Sequence, residues 1–171
     1  MFAGFFPIGK KPANSRGKEA AIMLYIEAAN SRDMETFISA LSRELQLFKA
    51  DVYVDLYIDE PLSDEGADES FRAMIRIATQ KEKTDRRSRI LGRRDPLMGV
   101  KVDLGQSDQA VHFSRIAHRI INAEGWCGDH QVFGTVESSV RVWVDMPTEV
   151  IKRVLLAATA AGAIIRVNPS E

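Results

Sequence analysis

The sequence holds a single cysteine, Cys127, so no internal disulfide can staple the chain, and bridge-held secreted scaffolds are excluded. Long hydrophobic runs are missing too: none reaches the roughly 18 residues that a membrane-spanning helix needs. Neither sign of charge is in excess, with 23 Lys and Arg against 24 Asp and Glu and a net charge of −1. That balance removes the simple argument for a histone-like or polybasic nucleic-acid binder. There is no phosphate-cradling glycine loop, no G-x-S-x-G elbow and no H-E-x-x-H pair, which lowers the expectation of an enzyme without abolishing it. The first residues put apolar side chains before charged ones, the reverse of a secretory signal. They read as a mature start in a reducing, cytoplasmic compartment, with no membrane partner.

What is present fits one α+β domain. With 171 residues, 45% of them apolar, the chain can bury a core without help from a metal. Phe2, Phe5, Phe6 and Ile8 are too apolar for a solvated tail, while Gly4, Pro7 and Gly9 forbid a helix. An extended arm docked on its own domain or on a neighbouring subunit is the expectation, and with it a homo-oligomer. Helical spacing of Ala21, Ile22, Tyr25, Ile26 and Ala29 predicts a helix over 18–29. Met34, Phe37, Ile38, Leu41, Leu45 and Phe48 predict a second, capped by Ser31 or Asp33. Asp51 to Ile58 alternates as a strand with one buried face. Residues 59–69 carry six acids and no base and read as a loop. Phe71 to Gln80 fits both periods, and a strand forming a hairpin with 51–58 is preferred. Lys81 to Arg94, with seven basic residues against two acidic, reads as an exposed loop.

The second half predicts a strand over 99–104, a helix over 108–123 ended by Gly125, strands over 131–137 and 139–144, a helix begun by Asp145 and Pro147, and a strand over 163–167. The order β-α-β-β-α-β over 98–168 resembles the ferredoxin-like superfold. That resemblance implies an architecture and no single activity, since the superfold hosts many functions. Residues 1–96 would then pack an arm, a helix pair and a hairpin onto a ferredoxin-like unit over 97–171, as one compact domain.

Three constellations could carry chemistry. Trp126-Cys127-Gly128-Asp129-His130 opens like a thioredoxin active site, but the second cysteine is missing and Cys127 would follow a helix C-terminus, where the dipole raises a thiol pKa. Asp55, Asp103 and Asp145 lie in or beside strands and could pair around Mg²⁺, although Asp145 is better used as a helix cap. His112 and His118, six apart on a helix, do not converge on a metal. No cofactor or metal is therefore expected.

Basic residues give the remaining signal. Arg115 and Arg119 share the polar face of helix 108–123 with His112, His118 and Asn122. Parity puts Arg141, Trp143, Lys101 and Arg166 on the sheet face opposite the helices, where RNA-binding members of the superfold engage bases. Arg86, Arg87, Arg93 and Arg94 in the basic loop add phosphate-binding capacity. The expected function is a non-catalytic binding or assembly protein, contacting nucleic acid or an acidic protein surface through these residues, with Phe2, Phe5 and Phe6 serving assembly. The alternative is a small enzyme: phosphoryl transfer on strand carboxylates, or a Cys127 thiol.

Overall fold

A computed structural model describes residues 21–84, 95–136 and 140–169. In chain order the elements are β1 (Ala21–Ala28), α1 (Ser31–Leu47), β2 (Asp51–Asp55), α2 (Glu65–Thr84), β3 (Val100–Val102), α3 (Ser107–Ile116), β4 (Asn122–Cys127), β5 (His130–Thr135), β6 (Arg141–Pro147), α4 (Thr148–Ala160) and β7 (Ile165–Pro169). The strands make one seven-stranded sheet in the order β3-β2-β4-β5-β6-β1-β7, and every neighbouring pair is antiparallel. The helices lie along one face of it in the order α2-α3-α1-α4. Among the described residues no helix is long and apolar enough to cross a membrane.

The chain is α+β, but the strand order does not confirm a ferredoxin-like unit over 98–168. Because β2 is antiparallel to both β3 and β4, those two run parallel, joined by α3 with β2 inserted between them. In the same way α4 joins parallel β6 and β7 around the inserted β1. Each is a split β-α-β unit. The two units stand side by side, bridged by the central strand β5, instead of interlocking within four strands.

Three segments differ from expectation, and each for a physical reason. Residues 18–29 were expected to form a helix, yet 21–28 are strand β1, in which Leu24, Ile26 and Ala28 alternate with Met23, Tyr25 and Glu27. Both periods fit this segment, and hydrogen bonding to β6 on one side and β7 on the other decides between them. Residues 71–80 belong to helix α2, not to a strand: Met74 and Ala78 are buried and Phe71 and Ile75 pack beside them. The acidic segment supplies the start of α2, where Glu65 and Asp68 face the positive end of the helix dipole and Asp64 accepts the Gly66 and Ala67 N–H groups at 2.9 and 3.2 Å. Finally, the helix expected over 108–123 stops at Ile116, and Asn122–Cys127 form an additional strand. Ile120 and Ile121 extended the apolar stripe past the true end, and Gly125 is an inward-facing strand residue rather than a cap. Gly128, at φ 62°, makes the tight turn from β4 to β5.

The core forms where the helix layer meets the sheet. Ile26, Val52, Val54, Phe133, Val142 and Val144 point inward against Phe37, Ile38, Leu41, Phe113, Ile120 and Val154. Phe113 and Phe133 meet edge to face at 6.1 Å. Outside it, Arg153 on α4 donates through Nε and Nη2 to both oxygens of Glu44 on α1, at 3.1 and 2.7 Å. That fork holds the Glu44 carboxyl below its ordinary range.

Candidate functional site

Two surfaces collect the polar residues. The first is a groove of about 850 Å³ on the helix side, lined by α1, α3, the end of α4 and the 64–67 segment. Asn30 starts α1: its backbone is extended and its Oδ1 accepts the Asp33 N–H at 3.0 Å. With Met34, Phe37, Ile38, Leu41 and Leu45 turned into the core, the helical period carries Arg32, Thr36, Ser39 and Arg43 along the groove. Arg115 reaches across from α3 and pairs with Glu35 at 3.3 Å. Arg119, in the turn after α3, pairs with Asp64 at 3.2 Å. The Ala67 N–H, followed by Arg119, lowers the pKa of Asp64. Arg32 and Arg43 have no ion-pair partner among the described residues. Four arginines thus face two carboxylates, Glu35 and Asp64, beside Ala40, Ala67, Val111, Ala157 and Ala161.

The second surface is the sheet face away from the helices, which no described helix covers. Its register lines up Lys101, Tyr53, Glu124, Gly134, Trp143, Tyr25 and Asn168 from edge to edge. Trp143 lies over Gly134 so closely that a Cβ there would stand 2.6 Å from the indole. The Arg141 guanidinium sits 4.6 Å from the centre of the Tyr25 ring and pairs with Glu27 at 3.3 Å. Lys101 pairs with Asp51, and His130 with Asp145 at 3.2 Å. Arg166 lies opposite Glu27 in the ladder and so shares the face. Arg141, Lys101 and Arg166 meet five carboxylates, Glu27, Asp51, Asp55, Glu124 and Asp145, so the face is acidic on balance. Gly134→Val is expected to push the Trp143 ring off the sheet, red-shifting its emission in a Trp126→Phe background and costing about 1–3 kcal/mol. An unmoved spectrum and melting temperature would contradict that placement.

The residues singled out from the sequence scatter between these surfaces. Arg115 and Arg119 come together in the groove; Arg141 and Trp143 lie on the opposite side of the sheet. Arg86, Arg87, Arg93 and Arg94, with Phe2, Phe5 and Phe6, lie outside the described residues. Arg32 and Arg43 were missed, although the polar stripe opposite Met34 and Leu41 at helical spacing was there to be read. Asp55 and Asp103 stand at opposite ends of the β2–β3 ladder, with Asp55 accepting the Gly99 N–H at 2.6 Å and Asp103 the Gly105 N–H at 3.0 Å. Asp145 is not a helix cap: Pro147 holds that position, and Asp145 faces His130 from within β6. Cys127 ends strand β4 rather than following a helix, and burial, then Asp51, pushes its thiol pKa up. His112 bonds Ser70 on α2 at 3.2 Å, whereas His118 is buried in the turn after α3. No protein-family model, curated protein or solved structure matches the chain, so its own residues carry the reading of the site.

Proposed function

We propose that this is a non-catalytic binding protein whose helix-side groove takes an acidic, partly apolar segment of another protein. The convergence of Arg32, Arg43, Arg115 and Arg119 on one groove, in a chain of net charge −1, is the observation that carries the reading. Alanines and Val111 between the arginines suit short apolar side chains, and among the described residues no aromatic ring lines the groove for bases to stack on. The dispersed strand carboxylates and the raised Cys127 thiol support binding over catalysis.

A fluorescein-labelled peptide of alternating Glu and Leu is the probe. Its fluorescence anisotropy should rise on titration with the protein, and the affinity should fall as salt screens the arginines. Because Arg32 and Arg43 are exposed and hold no ion pair among the described residues, Arg32→Glu with Arg43→Glu should leave the fold intact and weaken binding at least tenfold, about 1.4 kcal/mol. An unchanged affinity in that variant, or binding of a single-stranded oligonucleotide in place of the peptide, would overturn the reading.

A further inference from the structure

Both tryptophans of the sequence and two of its three tyrosines stand on the open face of the sheet. Tyr53, Trp143 and Tyr25 share one row across it, and Trp126 lies opposite Asp51, which points the same way as Tyr53. The fully buried rings are phenylalanines instead, Phe37, Phe113 and Phe133. Rings that carry an N–H or an O–H suit a surface that is apolar on one side and polar on the other. Strand neighbours alone leave each of the four half-buried, and Met23 beside Tyr25 is 40% exposed. Such a concentration of rings marks a face that another segment covers.

Charge narrows the choice of cover. Glu124, next to Tyr53 in the row, accepts the Gln131 amide at 3.4 Å, and neither Glu124 nor Asp55 has an ion-pair partner among the described residues. A face acidic on balance repels nucleic acid and a copy of itself, so its complement is basic and apolar. The 20 residues before β1 are both. They hold Phe2, Phe5 and Phe6, then Lys10, Lys11, Arg16 and Lys18 against Glu19, four cations to one acid and a net +3. Reach is ample: Phe6 precedes Ala21 by 15 residues, up to about 50 Å of extended chain, whereas the four strand spacings from β1 to β2 are about 19 Å. Ala21 lies opposite Pro147, and α4 starts at Thr148, so α4 takes up the helix side of that end of the sheet. The open face is the side left to the segment.

We propose that residues 1–12 cover the open sheet face of their own chain, with Phe2, Phe5 and Phe6 on the row of Tyr25, Trp143 and Tyr53 and with Lys10 and Lys11 against its carboxylates. A tethered segment acts at about millimolar effective concentration, which a second copy reaches only in concentrated solution. The inference stands independently of the acidic-peptide reading, because that groove lies on the helix side of the sheet.

The test uses the full chain, with acrylamide quenching of tryptophan fluorescence as the readout, since both tryptophans lie on the face in question. Phe2→Ser, Phe5→Ser and Phe6→Ser combined should red-shift the emission and raise the quenching constant about twofold, because the rings lose their cover. Lys10→Glu with Lys11→Glu, a second variant that keeps the phenylalanines, should move both quantities in the same direction. A synthetic peptide of residues 1–20, which contains no tryptophan, is then added to the phenylalanine variant at about 1 mM, the order of the effective concentration a short tether supplies. It should restore the parent's quenching, and a peptide with serine at positions 2, 5 and 6 should not. Light scattering over a dilution series should show protection that does not depend on protein concentration. An unchanged quenching constant in either variant, or protection that appears only as the mass doubles with concentration, would overturn the proposal, the latter in favour of a second copy as the cover.

Discussion

Val142→Asp is expected to leave the protein largely unfolded at room temperature. Val142 is fully buried in β6, opposite Ile26 of β1 and Thr135 of β5, so its strand is bonded on both sides and cannot turn the new carboxylate toward solvent at an edge. Sliding β6 by one residue would rescue the charge only by sending Val144 and Met146, also buried, to the outer face. The aspartate must therefore be buried without a partner or take up a proton, and either route costs several kcal/mol. Domains of this size are stable by about 5–15 kcal/mol, so much of the total is lost. Urea denaturation checks it: a midpoint within error of the parent would show that residue 142 does not face the core.

The same strand shows how much of the fold could be read beforehand. Val140, Val142 and Val144 alternate with Arg141 and Trp143, and no helical period competes with that pattern. In β2, Val52 and Val54 alternate just as cleanly with Asp51, Tyr53 and Asp55, and α1 and α4 carry stripes that fit only a helix. Where both periods fit, local sequence was not enough. Leu24, Ile26 and Ala28 become a strand because β6 and β7 leave an opening of one strand's width between them, a long-range fact that no local window contains. Asn122–Cys127 was hidden for a different cause: Ile120 and Ile121 continued the stripe of α3 for a further turn, while Ala123 and Gly125, the inward residues of β4, are too small to mark a strand. Missing that strand made the second half look like a complete β-α-β-β-α-β unit.

The candidate site was legible only in part, for related reasons. Arg115 and Arg119 were visible as cations without nearby acids, but the groove exists because α1 lies between α3 and α4. Arg32 and Arg43 join it through that packing and not through any local motif. His118 was placed on a solvent-facing helix surface together with Arg119. Ending α3 at Ile116 turns the next residues back toward the sheet, where Arg119 N–H bonds Ile116 O at 2.7 Å and His118 is enclosed. Breaking off the helix thus converted a surface histidine into a buried one.

That burial sets the pH dependence of stability. Enclosure of the imidazole, and then the neighbouring Arg119 charge, push the His118 pKa from its ordinary 6.5 down to about 3. The folded protein therefore keeps His118 neutral where the unfolded chain would protonate it. Between pH 6.5 and 3 the unfolded state binds the extra proton, so stability falls as the pH falls, by about 1.4 kcal/mol per unit. Above pH 6.5 both states are neutral and this contribution is flat. Relative to pH 8, the loss should reach about 2 kcal/mol at pH 5. Carboxylates with lowered pKa values, Glu44 and Asp64 among them, also lose stabilisation in acid, but they do so in the parent and in His118→Leu alike. The informative quantity is the difference between those two proteins. Urea midpoints measured at pH 8 and pH 5 should show His118→Leu gaining about 2 kcal/mol on the parent over that interval. Two stability curves that stay parallel from pH 8 to pH 5 would mean that His118 takes up its proton as readily in the folded protein as in the unfolded chain, and that its enclosure in the α3–β4 turn is wrong.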